Sequence, residues 1–524
     1  MSNSSYEWLK ESALGLVLSA VLSKGLGSIP RPVRRALQED DPSRALAMAN
    51  AAYADDGDPD RDAALTYAVL LVERGLVDEA MGVIRRALEA HAQDVGLQLA
   101  QVVALQSAGK GEQARSLLDA LGEVSAVEPR QWRLMADTYL DLGAPQEAMS
   151  AYEAMLSQGG EDAEVAYRLA HLHEEEGNVD GAAHYQWLAA NWAQDSAMMW
   201  EMAAELCYEV GRVEEAIEAY ERLSDFQPHD PQTWFMLGLS QWYIDELEDA
   251  VRSFERVVDL HPMHQVAWRQ LGSVYLELGR GEQALRAYEQ ALEIDDQDFD
   301  ALLGATLAAR DIGDIEEAMV WAERARAAAP EQVEARQLYA LVTLDRGRSA
   351  EAAALLQELI EEEEGAVSPQ LRGALAVARM MEGDGAAAIE EMEVAVRRDV
   401  EPMWVLRFAE ALMREQGVQA TAAWLQDVEL GTPGWPMLKA LMAFSCAALV
   451  DDSQEADEAL NRFAQALEHG EEALPVVWNL EAWEALSYRF EGKYQKPFDA
   501  LLDMLEGRQD PSSDEVLKWT KRKA

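Results

Sequence analysis

Histidines, cysteines and clustered carboxylates are the residues here whose types could do chemistry. His171, His173 and His184 lie near Glu174, Glu175 and Glu176, a set that would suit a metal ion. His171 and His173 are two residues apart, however, so on a helix they point to different faces, and a solvated helix face is the better reading. His261 and His264 flank Pro262 and read as loop residues. Cys207 and Cys446 are the only cysteines, too few and too far apart for a zinc knuckle or a disulfide framework. Cys207 falls where a helix packs, as a small core residue rather than a nucleophile. Glu361 to Glu364 form an acidic run at a helix end, most simply a solvated face. There is no Walker-type phosphate loop and no dinucleotide fingerprint. Carboxylates are so frequent that no pair stands out as a general acid and base. The expectation is a chain that is not an enzyme and has no metal or cofactor.

The balance of charge supports a binding role. Of 524 residues, 44 are Lys or Arg and 96 are Asp or Glu, a formal charge of -52. Such a field repels phosphate, so nucleic acid is excluded as a direct partner. Hydrophobic residues make up 49%, enough for a large core, so this is not a disordered acidic chain. Few cysteines point to a reducing, cytoplasmic setting. The Arg- and Ala-rich, Lys-poor usage points to a bacterial source.

The elements that would carry any site repeat at a fixed interval. Ala80, Ala114, Ala148, Ala182, Ala216, Ala250, Ala284, Ala318 and Ala352 are 34 residues apart. Five residues before each lies Gly75, Gly109, Gly143, Gly177, Gly211, Gly279, Gly313 or Gly347, and only Asp245 breaks the row. Trp132, Trp200, Trp234 and Trp268 share another phase. A helical run of about a dozen residues precedes and follows each glycine. Glycine suits the left-handed position that ends a helix, and the alanine lets two antiparallel helices approach closely. One such pair cannot bury its apolar faces alone, whereas a stack can.

Trp268, Leu271, Gly272, Tyr275, Gly279, Ala284 and Tyr288 match the tetratricopeptide repeat pattern, and Trp234, Leu237, Gly238, Ala250, Phe254 and Pro262 match it again. The chain thus resembles that family. The resemblance implies an all-α, right-handed superhelical solenoid of stacked antiparallel helix pairs. Nine units are expected over 61–366, after N-terminal amphipathic or capping helices in 1–60. Divergent units and a cap follow over 367–506, then a basic tail over 507–524. In the divergent part Gly383 with Ala388, and Gly417 with Ala422, keep the spacing of five. Asp451 precedes Ala456 by the same interval, and Gly492 is followed by Pro497 in place of alanine.

The resemblance also implies a concave face lined by the second, fifth, ninth, twelfth and thirteenth residues of each unit. Carried onto this sequence, it offers Glu164, Tyr167, His171 and Glu174 (with Glu175), then Glu201, Glu205, Tyr208 and Glu209 (with Met198), then Phe235, Leu239, Trp242 and Tyr243 (with Gln232). Unit 163–196 carries one basic and six acidic side chains, and unit 197–230 carries two and nine. An acidic patch with tyrosines therefore runs into an aromatic one. A basic or amphipathic peptide is the complementary partner, with aromatic anchors for affinity and charge for steering. The family's clamp for chaperone-tail carboxylates needs lysines, asparagines and an arginine. Arg130 and Arg133 approach it, but Asp137 and Asp141 follow and the asparagines are missing.

The termini leave alternatives. Leu14, Val17, Leu18, Val21 and Leu22 share one helix face. That face either packs on the repeats or, with Arg31, Arg34 and Arg35, holds residues 13–35 at a membrane surface. Lys518, Lys521, Arg522 and Lys523 form a basic tail, either solvated or docked on an acidic surface. The resulting expectation is a protein-binding scaffold or adaptor. The alternatives are a membrane-associated assembly factor and a regulatory subunit of a separately encoded enzyme.

Overall fold

The structure, a computed structural model, describes residues 13–22, 25–39, 41–53, 60–122, 127–362, 368–431, 435–468 and 492–505. Residues 54–59 and 469–491 and the basic tail lie outside the described residues. Every regular element among the described residues is helical, and the fold is an all-α solenoid.

The chain divides into two compact units, 1–260 and 261–524. The first begins with α1 (Ala13–Val21), a 3-10 turn (Gly25–Ser28), α2 (Arg31–Gln38) and α3 (Pro42–Tyr53). Six helix pairs follow: α4 and α5 (Arg61–Glu73, Val77–Ala90), α6 and α7 (Val95–Ser107, Gly111–Gly122), α8 and α9 (Pro129–Asp141, Pro145–Ser157), α10 and α11 (Ala163–Glu175, Val179–Trp192), α12 and α13 (Ala197–Glu209, Val213–Phe226), and α14 and α15 (Pro231–Tyr243, Leu247–Leu260). The second unit holds α16 and α17 (Gln265–Glu277, Gly281–Ile294), α18 and α19 (Phe299–Asp311, Ile315–Ala328), and α20 and α21 (Val333–Asp345, Ser349–Glu362). It continues with α22 and α23 (Pro369–Met381, Gly385–Val396), α24 and α25 (Pro402–Gln416, Val418–Gln426), α26 and α27 (Trp435–Leu449, Ser453–Glu468) and α28 (Gly492–Leu505).

The periodic residues build each pair. All nine alanines of the 34-residue row are 0% exposed, at the crossing of paired helices. The eight glycines of the companion row have φ between +67° and +81°. Asp245, the exception in sequence, has φ +66° and takes the same left-handed turn, which aspartate tolerates better than most residues. Asp451 does likewise at φ +57°, and Ala456 five residues on is buried. A third periodic row caps the first helices. Asp94, Asp162, Ser196, Asp230, His264 and Asp298 each accept a backbone N–H of the following turn, which satisfies donors that a helix start leaves open. His264 is therefore a helix cap rather than a plain loop residue.

The tryptophans do more than fill space. Trp200 is buried, whereas Trp132, Trp234 and Trp268 are only half-buried. The indole N–H of Trp200, Trp234 and Trp268 donates to the carbonyl six residues earlier, at Gln194, Pro228 and Pro262, over 2.9–3.2 Å. Each ring thus ties its helix to the turn before it.

One expected register fails. Ala422 is half-buried, and Thr421 takes the 0% exposed position instead. Only Gly417 separates α24 from α25, with φ +90° and ψ 170°, so the second helix begins early and its packed face moves back by one residue.

Candidate binding surface

The exposed stripe of α12 is built by helical spacing. Trp200, Ala203, Ala204 and Cys207 turn inward and are fully buried. Met198, Glu201, Met202, Glu205 and Glu209 are exposed and Tyr208 is half-exposed, all along the opposite side. Glu201, Glu205 and Glu209 recur every fourth residue, which puts their carboxylates in one row, roughly 6 Å apart. Met198 is 58% exposed beside them. On α10, Glu164, His171, Glu174 and Glu175 are exposed and Tyr167 is half-buried. On α14, Tyr243 is 78% exposed, while Phe235, Leu239 and Trp242 are half-buried. The Phe235 ring lies 5.8 Å from that of Phe254 on α15, tilted by 59°.

These acids differ in how far their charge is already met. Arg133 on α8 donates through Nη1 to Asp162 at 2.6 Å and through Nη2 to Glu164 at 2.5 Å. Arg168 donates to Glu164 at 2.7 Å and to Asp137 at 3.1 Å. Burial works against ionisation of Glu164, but the hydrogen bonds from Arg133 and Arg168 outweigh it and hold its carboxyl below the usual range. The charge of Glu164 is therefore largely met, whereas Glu174 and Glu175 remain exposed. His171 is 3.5 Å from Glu175. No Arg, Lys or His among the described residues forms an ion pair with Glu201, Glu205 or Glu209.

The same contrast shows in register. Arg133 and Arg269 occupy the fifth position of their units, and Arg269 reaches Asp298 at 3.4 Å and Asp300 at 2.8 Å. Each arginine thus clasps the cap and the first turn of the next first helix. In the three units between them that position holds Tyr167, Glu201 and Phe235. The clasp is replaced there by exposed acid and half-exposed aromatic surface.

Two earlier units use the same positions differently. Leu65 and Val69 on α4, and Leu99 on α6, correspond to Glu201, Glu205 and Glu201 of the register, yet they are buried. The reason is α1, which packs against α4, α6 and α8, the first helices of three successive pairs. Leu18, Val21 and Leu22 are at most 1% exposed in this contact. Arg61 holds Asp94 with Nε at 2.5 Å and Nη2 at 2.8 Å, and Nη2 also donates to the Val21 carbonyl at 3.1 Å. A Cβ on Gly96 would stand 2.3 Å from that carbonyl. Residue type alone does not mark this site, since Leu303 and Leu307 hold the same two positions on α18, where Leu307 is 43% exposed.

Leu18, Val21 and Leu22 of α1 are thus covered by protein. Beyond it, Arg34 donates to the Gly27 and Ile29 carbonyls and Arg35 pairs with Glu39. Among the described residues no helix is long and apolar enough to cross a membrane.

Among the other residues whose types could do chemistry, His173, Cys207 and Cys446 are buried. His173 is buried, with Nδ1 3.0 Å from Asn178 Nδ2 and its ring stacked on Tyr185. No group of three or more His, Cys, Asp or Glu among the described residues is placed to hold a metal. Both thiols are free and buried, and burial pushes each up to about 12.

The periodic caps, turns and packed alanines define a helical-repeat scaffold. The chain belongs to the tetratricopeptide repeat family, whose models match residues 33–95, 129–185, 167–231, 235–298, 269–333 and 302–428. It is accordingly a protein-interaction scaffold. No curated protein matches the chain. Solved structures similar to parts of it include MamA 41-end from Desulfovibrio magneticus RS-1, at 20% identity over 32% of this chain and 97% of that one, TM-score 0.31. A tetratricopeptide repeat protein from Parabacteroides merdae ATCC 43184 is 14% identical over 48% and 98%, TM-score 0.35. YrrB, described as a TPR protein with an unusual peptide-binding site, is 19% identical over 36% and 96%, TM-score 0.30.

Proposed function

We propose that the chain is a non-catalytic scaffold that captures a basic, amphipathic helical segment on the exposed faces of α10, α12 and α14. The observation that carries this reading is the row Glu201, Glu205 and Glu209, which has no cationic partner among the described residues and shares its helix with exposed Met198 and Met202, with Tyr243 exposed on α14. Lysines or arginines spaced by four on a partner helix match that row, and its leucines and aromatics match the methionines and Tyr243. Burial of the apolar contacts supplies affinity, and the carboxylates supply orientation and association rate. Phe235, Leu239 and Trp242 extend the apolar part. Glu164 plays a lesser role, because Arg133 and Arg168 already meet its charge. The burial of the α1 face supports this scaffold reading over attachment to a membrane by residues 13–35.

The test uses a labelled 18-residue helical peptide with lysine every fourth position and leucines between, followed by fluorescence anisotropy. The triple change Glu201→Gln, Glu205→Gln, Glu209→Gln should weaken binding roughly 3- to 150-fold, since exposed ion pairs contribute ~0.2–1 kcal/mol each. Raising salt should weaken the native protein more steeply than the variant. Glu164→Gln should change little. Equal affinity of the native and triple-variant proteins overturns the assignment.

A further inference from the structure

The face of α4, α6 and α8 carries a second recognition surface, independent of the acidic row. We infer that it is a binding site for an apolar helix, and that residues 13–22 are its resident, exchangeable occupant. The same segment from a second copy of this chain is the partner that fits when the resident is displaced.

The placement of α1 is that of a ligand rather than of one more layer. The first helices of successive pairs keep one side open, as α12 does. Helix α1 lies on that open side, across three successive first helices. Leu65, Val69 and Leu99 are buried at register positions whose counterparts Glu201 and Glu205 on α12 and Leu307 on α18 are exposed.

The contact also has a polar end. A helix terminus leaves its last carbonyls without partners, and Arg61 supplies one to Val21, the last residue of α1. Asp94 holds that guanidinium in place with two hydrogen bonds. Gly96 completes the cradle. It lies within α6, where glycine weakens a helix, and its missing Cβ is what lets the Val21 carbonyl approach. The surface therefore recognises an aliphatic helix and the end of its backbone, and the segment 13–22 of any copy satisfies it.

The experiment keeps the full chain. Leu18→Asp with Val21→Asp displaces the resident helix and leaves the cradle intact. The probe is a fluorescein-labelled synthetic peptide of residues 10–29 with the native sequence. The native protein should bind it weakly, because its own helix competes. The double variant should bind at least tenfold more tightly, and adding Gly96→Ala to it should abolish that gain. Circular dichroism on the same samples reports folding, and Gly96→Ala alone should keep the helical signal. A double variant that stays folded but binds no better than the native protein overturns the proposal. So does a double variant that loses its helical signal, because α1 is then a layer of the core.

Discussion

Tyr288 sits in a slot whose two walls are glycines, and filling one wall tests how tightly successive pairs are stacked. The ring lies on α17, 3% exposed, with its hydroxyl 3.0 Å from Ser273 Oγ. A Cβ at Gly272 on α16 would stand 2.9 Å from the ring, and one at Gly304 on α18 would stand 2.2 Å from Cζ and 2.4 Å from Cε1. Gly304→Ala therefore sets two effects against each other. Alanine improves the intrinsic stability of α18 by up to ~1 kcal/mol. Against that, a rigid ring must move by more than an ångström, or the pairs must part, and such overpacking costs about 1–3 kcal/mol. Driving the ring out of its slot is no cheaper, because a buried aromatic is worth about 1.5–3 kcal/mol. The net expectation is a loss of about 1–2 kcal/mol, read as a lower urea midpoint followed by far-UV circular dichroism. The loss falls on the contact between two neighbouring pairs, on which the stability of a stacked array depends. Tyr288→Leu in the same chain empties the slot, so the double variant should be less destabilised than the sum of the single ones, by about 1 kcal/mol. A higher midpoint for Gly304→Ala, as helix propensity alone demands, would refute the close stacking.

Three further outcomes are expected. Asp245→Gly should raise stability by about 0.5–1 kcal/mol in thermal unfolding, because Asp245 holds a left-handed turn at φ +66° that glycine adopts without strain. Cys207 and Cys446, both buried with thiols pushed up to about 12, should resist a thiol reagent at pH 8 until denaturant is added; fast native labelling of either would contradict the burial. Glu164 is held below the usual carboxylate range, so its ion pairs stabilise the fold above its unfolded-state value and are lost as pH falls through the lower folded-state value. The stability gap between the native protein and Glu164→Gln should be constant above ~pH 5 and close in acid; a gap that widens in acid would reverse the sign.

The helix pairs were legible because their determinants are local. A glycine, an alanine five residues on and a tryptophan at fixed phase all act within one unit of 34 residues. The divergent turns at Asp245 and Asp451 were equally legible by position, since aspartate fills the same backbone slot. What escaped were contacts between units. Arg133 meets Glu164 from 31 residues away, so that carboxylate looked free when it was already matched. The amphipathic pattern of Leu14 to Leu22 announced a buried face without naming what buries it. Its partners lie along three different units, and apolar residues such as Leu65, Val69 and Leu99 recur at the same positions elsewhere, as Leu303 and Leu307 do. At Ala422 the spacing rule failed because a one-residue link replaced the usual turn, a matter of loop length that residue type does not reveal.

Nine methyl groups at zero exposure set the distance between paired helices along most of the chain. Because that spacing is held from the inside, the residues on the outer side of each first helix are released from any part in it. The acid row of α12, the arginine clasp of α8 and the aliphatic bed of α4 are thus alternative facings on one chassis. A unit of 34 residues becomes an exchangeable cassette: moving 197–230 to another place in the stack carries its facing along. The seams to respect are those where an arginine of one cassette reaches into the next, as Arg133 and Arg269 do.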